Sequence, residues 1–160
     1  MREYSYLDQA PRQEIDVHDG LESTLAILSH KLSKSQIELV RDYDRSLPRI
    51  DAHAPELNQV WTNLINNAIQ AAGEGGTVIV RTLRAGDYLV VEIEDNGPGV
   101  PDAIKGRVFD AFYTTKEPGE GTGLGLDIAK RIAVRHHGDL RLKPTERGAC
   151  FQVLLPLPDA

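Results

Sequence analysis

Residues 56–72 carry four asparagines, and the spacing of two of them, Asn63 and Asn67, could place two amide groups in one site. On a helix, residues four apart lie one turn above the other, so both amides would project from the same edge. That edge borders a broad apolar face, whereas Asn66 falls nearly opposite it and is expected in solvent. The pair either flanks a buried helix or directs two carboxamides into a cleft, and this segment leaves both interpretations open.

A carboxylate follows the strand-like run YLVVEIED, in the sequence Asp95-Asn-Gly97-Pro-Gly99. An ionised carboxylate only accepts hydrogen bonds, so Asp95 would suit the amino group of adenine and would reject the oxygen of guanine. Gly97 and Gly99 would let a ligand approach the backbone closely. The same residues could form a plain turn, and the motif alone is weakly specific.

Alternating glycines occupy residues 119–125, directly before an apolar helix. Free backbone N–H groups followed by a helix N-terminus form a site suited to phosphate. The spacing fits neither a Walker A loop nor a Rossmann fingerprint. A flexible linker is the alternative, but it would not need Leu124 and Leu126 between the glycines.

The stretch FDAFYTTK, residues 109–116, presents Phe109 and Phe112 on one helical face and then opens a polar loop. The two rings are expected to pack in the core. Lys116, which follows Thr115, could swing onto a terminal phosphate when the loop closes.

The elements that position these residues follow from hydrophobic periodicity and from turn residues. Strands are predicted over 14–17, 37–43, 49–53, 77–84, 88–95, 139–143 and 149–155, and helices over 19–33, 56–72, 101–109 and 124–135. Because helices and strands mix without strict alternation, the pattern predicts an α+β fold, a two-layer α/β sandwich with a mixed, mostly antiparallel sheet.

The composition excludes several classes of protein. The 160 residues suit one domain, and the net charge of -6 argues against a nucleic-acid partner. No apolar run is long enough to span a membrane, so no membrane contact is expected. The single Cys150 excludes an internal disulfide and fits a reducing cytoplasm.

The order of these patches resembles the ATP-binding catalytic domain of bacterial sensor histidine kinases. They run as an Asn-bearing helix, D-x-G-x-G, F-x-x-F and GTGLGL over roughly residues 14–156. This Bergerat fold is shared with DNA gyrase, Hsp90 and MutL, and the YTTK sequence looks most like the nitrogen-regulatory type. The resemblance implies a sheet covered on one face by about three helices, together with a mobile ATP lid over residues 113–121.

The resemblance also implies the cofactors ATP and Mg²⁺ and assigns their contacts. Asn67 would coordinate the metal, with Asn63 beside it as a nucleotide-binding and catalytic residue. Asp95 would read adenine, and Gly97 and Gly99 would line the base pocket. The remaining nucleotide contacts would be Thr115, Lys116 (also catalytic), Gly121, Thr122, Gly123, Leu124, Gly125 and Leu126.

The residue type at position 63 separates the branches of this fold. Gyrase, Hsp90 and MutL carry a Glu there that activates water, and an amide cannot serve as a general base. Asn63 therefore favours phosphoryl transfer to a side chain over hydrolysis. The alternatives are an anti-sigma-factor serine kinase, a gyrase-like ATPase domain or a degenerate nucleotide-binding module.

No histidine of this chain fits the phospho-acceptor role. His30, in LSHKLSK, lacks the acidic residue and the nearby Pro of the acceptor box. We therefore expect residues 1–13 to be a linker from a phospho-acceptor helical hairpin that this chain lacks, and residues 14–160 to be a catalytic domain, monomeric when isolated. Its expected partners are that hairpin and a downstream response regulator.

Overall fold

The computed structural model describes residues 11–110 and 125–158. The elements in chain order are β1 (Gln13–Ile15), α1 (Val17–Ile27), α2 (Ser29–Lys34), β2 (Glu38–Asp42), β3 (Ile50–Ala52), α3 (Ala54–Ala72), β4 (Thr77–Ala85), β5 (Tyr88–Asp95), a 3₁₀ helix (Asp102–Arg107), α4 (Gly125–Arg135), β6 (Asp139–Lys143) and β7 (Ala149–Pro156). Within these ranges, no helix combines the length and the apolar character that crossing a membrane requires.

Five strands form one sheet in the order β2-β4-β5-β7-β6, and β1 and β3 form a separate antiparallel pair. Among the described strands of this sheet, only β2 and β4 run parallel, while the other three pairs are antiparallel. The central strand β5 therefore pairs with both β4 and β7 along its length. The predicted α+β sandwich with a mixed, mostly antiparallel sheet is confirmed.

Helix α3 forms the middle of the helical layer, with α1 on one side and α4 on the other. Pro55 stands in its first turn and Gly73, at φ 73°, ends it, as expected for these residue types. Its buried side chains pack into one core with the inward residues of the sheet; they are Leu57, Val60, Trp61, Leu64, Ile65, Ala68 and Ile69. The apolar face predicted for residues 56–72 is the face that the structure buries.

The first helix differs from its predicted course at both ends. Val17, predicted to end a strand, begins α1 because the Asp16 carboxylate caps the helix by accepting from the His18 backbone N–H at 2.9 Å. The predicted helix over 19–33 is broken at Leu28, which separates α1 from α2. The short helix predicted over 101–109 is a 3₁₀ helix.

The sheet face opposite the helices holds a charged network around Glu92, a residue that is only 1% exposed. Its carboxylate accepts hydrogen bonds from Arg81 at 2.6 Å, Gln152 at 2.7 Å and Lys143 at 3.2 Å. Burial alone would raise the pKa of Glu92, but these three donors outweigh it and lower the pKa. The network ties β5 to β4, β7 and β6, and so holds the strand that ends at the candidate site.

Cys150 lies on the same face as this network and is buried. Burial and the neighbouring carboxylates raise the pKa of its thiol to about 12, so the thiol stays protonated and unreactive.

A polar cluster joins the start of α3 to the end of α4. Arg135 donates to the Glu56 carboxylate at 2.7 Å, and Arg12 donates to the Arg135 carbonyl at 3.1 Å. Behind them, the His136 ring accepts from the His53 backbone N–H at 3.1 Å, and its Nδ1 faces the Ile132 carbonyl at 2.9 Å. Because Nε2 accepts, Nδ1 carries the proton and the ring is neutral.

Protonation of His136 should weaken the fold in mild acid. Burial lowers the pKa of His136, with Arg12 and His53 adding to the effect and Glu56 opposing it. The unfolded chain then binds a proton that the folded chain does not, so this stabilisation is complete above the unfolded pKa of about 6.5 and declines as the pH falls below it. Thermal unfolding between about pH 7.5 and about pH 5.5 should show this slope.

The matched variants are His136→Gln, which should flatten the slope, and His30→Gln at an exposed position, which should leave it unchanged. An identical slope in His136→Gln would exclude this histidine as the source.

Candidate functional site

A pocket of about 760 Å³ opens where the end of α3, the turn after β5 and the β6–β7 hairpin meet. Its lining residues come from these three segments and from the 3₁₀ helix: Ala71, Ala72, Asn96, Gly97, Pro98, Gly99, Val100, Pro101, Lys105, Leu142, Lys143, Pro144, Thr145, Glu146, Arg147, Gly148 and Ala149. Three of them are cationic and one is acidic, and two of the cations are paired with carboxylates: Lys143 with Glu92 at 3.2 Å and Lys105 with Asp102 at 2.8 Å.

Close backbone approaches shape this pocket. A Cβ on Gly97 would lie 2.2 Å from the Ala71 carbonyl oxygen, so only glycine lets the turn sit against the end of α3. Gly99 has φ 82°, and a Cβ there would lie 2.8 Å from the Gly148 carbonyl oxygen. These approaches join segments of the protein itself, so the predicted close approach of a ligand to Gly97 and Gly99 stays a prediction.

Asp95 ends the central strand and is 3% exposed, directly behind the Gly97 turn. Its Oδ1 accepts from the Gly97 backbone N–H at 2.8 Å. Burial raises the pKa of Asp95, and the backbone N–H groups of Gly97 and Ala149 offset this effect only in part. The fold therefore keeps the Asp95 carboxylate desolvated beside the pocket. A hydrogen-bond donor on a ligand would stabilise its charged form.

The amides of α3 lie one to two turns before the pocket. Asn63 and Asn67 are both half-buried. The Asn63 amide is engaged on both sides: its Oδ1 accepts from Gln59 at 2.8 Å, and its Nδ2 donates to the Gly125 carbonyl at 3.0 Å. Asn67 forms no side-chain hydrogen bond with any residue that the structure describes, so its oxygen is available to a ligand.

Asn66 does not lie fully in solvent as predicted, because it is half-buried and accepts a hydrogen bond from Lys31 at 3.0 Å. The helical wheel treats α3 alone and so does not include α2, which supplies Lys31.

The predicted phosphate-binding residues are only partly within the described ranges. Gly125 begins α4 and Leu126 packs against the core. The residues predicted to form the lid, 113–121, lie outside the described residues, as do Phe112 and the predicted nucleotide contacts Thr115, Lys116, Gly121, Thr122, Gly123 and Leu124. Phe109 contacts Phe151 edge to face at 6.0 Å, in agreement with a core role.

Sequence reasoning missed two residues of this region. Gln59 contacts Asn63, and its only sequence signal is the four-residue spacing that both share with Asn67. Gly148 has φ 75°, and a Cβ there would lie 1.8 Å from the Asp95 carbonyl oxygen. The position of Gly148 before a strand does not by itself predict that it packs against the end of β5, at Asp95.

The residues present fit a nucleotide with a divalent cation. Asn67 offers one neutral oxygen, and the described residues contain no group of three or more His, Cys, Asp or Glu side chains that could hold a metal by themselves. A cation such as Mg²⁺ is commonly bound by one or two protein ligands together with substrate phosphates. The site therefore suits a metal that arrives with the nucleotide.

The fold and pocket define a two-layer α+β domain with a buried carboxylate, Asp95, directly beside the residues that line the pocket. The family model for histidine kinase-, DNA gyrase B- and HSP90-like ATPases matches residues 52–159, and the chain belongs to this family. The prediction drawn from the order of the motifs is confirmed.

The most similar curated relatives include sensor kinases. The chain is 35% identical over 171 residues to the sensory histidine kinase/phosphatase NtrB of Azospirillum brasilense, covering 96% of this chain and 42% of the relative. It is 32% identical to the signal transduction histidine-protein kinase AtoS of Escherichia coli strain K12, covering 97% of this chain and 26% of AtoS. The chain thus spans less than half the length of these relatives.

Solved structures agree with this assignment. The catalytic domain of histidine kinase ThkA superposes with a TM-score of 0.84 at 28% identity, covering 92% of this chain and 97% of the other. Full-length ShkA in complex with AMPPNP gives 0.81 at 27%, covering 96% and 34%. ThkA in complex with the response regulator protein TrrA gives 0.80 at 26%, covering 92% and 42%.

A side chain at position 97 should separate the turn from α3. The Cβ of Gly97→Ala would overlap the Ala71 carbonyl, a backbone atom that cannot rotate away, so the free energy of unfolding should fall by about 1–3 kcal/mol. Nucleotide affinity, measured by calorimetry, should fall in the same variant because the pocket wall moves.

Gly106→Ala is the control, because a Cβ there meets nothing within 4 Å. Equal stability and affinity in the two variants would contradict the role given to the Gly97–Ala71 approach.

Proposed function

We propose that this chain is the ATP-binding catalytic domain of a two-component sensor histidine kinase. It binds ATP with Mg²⁺ and donates the γ-phosphoryl group to a histidine on a separate phospho-acceptor helical hairpin. The observation that carries the proposal is the Asn63 amide, whose two polar atoms are engaged by Gln59 and by the Gly125 carbonyl. A neutral amide held in this way cannot take a proton from water, so transfer to a side chain is favoured over hydrolysis.

Adenine recognition is assigned to Asp95. Its burial raises the pKa of the carboxyl, and one oxygen already accepts from the Gly97 N–H at 2.8 Å. A purine with an amino group at position 6 donates to the carboxylate, whereas a carbonyl there would leave the buried charge unpaired. We therefore propose specificity for adenine over guanine nucleotides.

Asn67 is proposed as the protein ligand of Mg²⁺, because its amide oxygen has no partner among the described residues and lies one turn before the pocket-lining Ala71. The metal would neutralise phosphate charge during transfer. The chain's own contribution is to hold the nucleotide in place, which is the main catalytic requirement of phosphoryl transfer. Roles in phosphate contact for Thr115, Lys116 and the stretch 121–126 remain predictions.

The proposed partners are the phospho-acceptor hairpin of the parent kinase and its response regulator. The solved complex of the similar kinase ThkA with a response regulator supports this class of partner. Residues 1–13 are proposed as the linker from the hairpin and residues 14–160 as the catalytic domain. We also propose a cytoplasmic location, where ATP and response regulators occur.

Removing the charge of Asp95 should change stability and binding in opposite directions. In Asp95→Asn the amide oxygen still accepts from Gly97, but the desolvated charge is gone, so thermal stability should rise. ATP and ADP affinity should fall by about tenfold to a hundredfold, the loss expected for a charged hydrogen bond of about 1.5–3 kcal/mol. Calorimetric titration with ATP and with GTP measures both the preference for adenine and the loss of affinity in Asp95→Asn.

Binding of GTP as tight as that of ATP by the unmodified chain would refute the adenine assignment. A lower melting temperature in Asp95→Asn would show that the carboxylate stabilises the fold, which contradicts the destabilising effect of desolvation argued above.

Phosphoryl transfer tests the proposed function directly. The chain should hydrolyse ATP very slowly and should not label itself, but it should produce acid-labile phosphohistidine on an added phospho-acceptor hairpin. Asn67→Ala should abolish Mg²⁺-dependent binding and transfer. Asn66→Ala, which loses only an exposed hydrogen bond to Lys31, is the matched control and should retain both.

Rapid ATP turnover by the chain alone would favour a gyrase-like ATPase. Phosphoserine on an added protein would favour a serine kinase, and label on His30 would identify an acceptor within the chain.

A further inference from the structure

A two-step hydrogen-bond chain links the amide helix to the start of the last helix. Gln59 Nε2 donates to Asn63 Oδ1 at 2.8 Å, and Asn63 Nδ2 donates to the Gly125 carbonyl at 3.0 Å. Gln59 and Asn63 lie one turn apart on α3, and Gly125 is the first residue of α4. These two hydrogen bonds therefore connect two separate helices, α3 and α4, and do not lie within a single helical turn.

The Gly125 carbonyl fixes the direction of both bonds. A carbonyl can only accept, so Asn63 must turn its NH₂ group towards Gly125 and its oxygen towards Gln59. Gln59 must then present its own NH₂ group. Without that donor, Asn63 Oδ1 has no hydrogen-bond partner among the described residues, and only the bond to the Gly125 carbonyl orients the amide.

Gly125 is also where the glycine-rich stretch of the sequence ends. A Cβ on Gly125 would lie 3.8 Å from the Asn63 Cβ, so α3 and α4 approach closely at this point. Asn67, the proposed metal ligand, follows Asn63 by one turn on the same helix. A shift of Gly125 relative to α3 would therefore shift the first turn of α4 relative to that ligand.

We propose that Gln59 is a positioning residue for phosphoryl transfer. It acts by orienting Asn63, which clamps the Gly125 carbonyl and fixes the start of α4 against the metal-binding helix. The assignment rests on the proposed function for its catalytic consequence, but the clamp itself does not. Because Gln59 is exposed and its side chain hydrogen-bonds only to Asn63 among the described residues, its removal should affect alignment more than stability.

Three substitutions at position 59 separate hydrogen-bond donation from shape. Gln59→Met removes the donor, Gln59→Glu keeps the shape but can only accept, and Gln59→Lys donates with a different shape. In Gln59→Glu the Asn63 amide should turn its NH₂ group to the carboxylate and its oxygen away from it, which breaks the bond to Gly125.

The first readout is amide hydrogen exchange over residues 129–132 of the nucleotide-free chain, because the N–H groups of the first turn of α4 have no acceptor within the helix whereas those of the next turn do. Exchange should rise about fivefold in Gln59→Met and Gln59→Glu, the factor that corresponds to one hydrogen bond of about 1 kcal/mol, and should stay near the wild-type rate in Gln59→Lys. Gln13→Met, at an exposed position on β1, is the control and should change nothing.

The second readout is transfer to an added phospho-acceptor hairpin. The maximal rate should fall about fivefold or more in Gln59→Met and Gln59→Glu, while ADP affinity stays within about twofold, because Asp95 and the pocket are untouched. Asn63→Leu should lose at least as much of the transfer rate, and adding Gln59→Met to it should cause no further loss, because Gln59 acts through Asn63.

The outcomes distinguish this proposal from the function on which it rests. If the unmodified chain neither binds ATP nor transfers phosphate, the proposed function fails. Hydrogen exchange alone then tests whether Gln59 and Asn63 hold the start of α4. Wild-type exchange in all three position-59 variants would overturn the proposal. An equal increase in all three would also overturn it, because side-chain shape and not donation would then be the cause. If exchange in Gln59→Met rises as it does in Gln59→Glu, while exchange in Gln59→Lys does not rise, the added charge of Glu is excluded as the explanation, because Met is neutral.

Discussion

The burial of one face of α3 is the constraint on which the rest of this structure depends. Trp61, Leu64 and Ile65 are at most 1% exposed and lie between α1, α4 and the sheet. Burying side chains of this size contributes about 1.5–3 kcal/mol each, which leaves the helix no freedom to rotate. The shoulder of the buried face is therefore fixed as well, and that shoulder carries Asn63 and Asn67. The core of the fold and the wall of the site are the same helix.

A second consequence is the tight backbone packing at the end of α3. The turn after β5 touches the Ala71 carbonyl, and the strand start at Gly148 touches the Asp95 carbonyl. Such packing leaves little room for water around the Asp95 side chain, which is why burial raises the pKa of its carboxyl. In the proposed function, this desolvation is useful, because a desolvated carboxylate discriminates more strongly between a ligand that donates a hydrogen bond to it and one that does not.

Much of the architecture could be predicted from the sequence. Two runs rich in β-branched residues, over 77–84 and 88–95 on either side of a short turn, marked the central hairpin. The periodicity of residues 56–72 marked both the helix and its buried face. The boundaries that failed were set by local capping that competes with periodicity. Asp16 starts α1 two residues earlier than the predicted helix, and a turn at Leu28 divides one predicted helix into two. Apolar spacing alone does not register either event.

The sequence by itself determined the family, the α+β class and the residue types of the site, because each depends on local order: an amide pair four apart, a carboxylate at a strand end and glycines at turns. Only the tertiary structure decided which of these groups meet. Sequence spacing does not place Gln59 and Gly125, which are far apart along the chain, on the two sides of one amide. The small-residue requirement at Gly97 and Gly148 likewise comes from backbone atoms of distant segments. Such contacts depend on how packed elements cross, and burial of the core fixes that crossing.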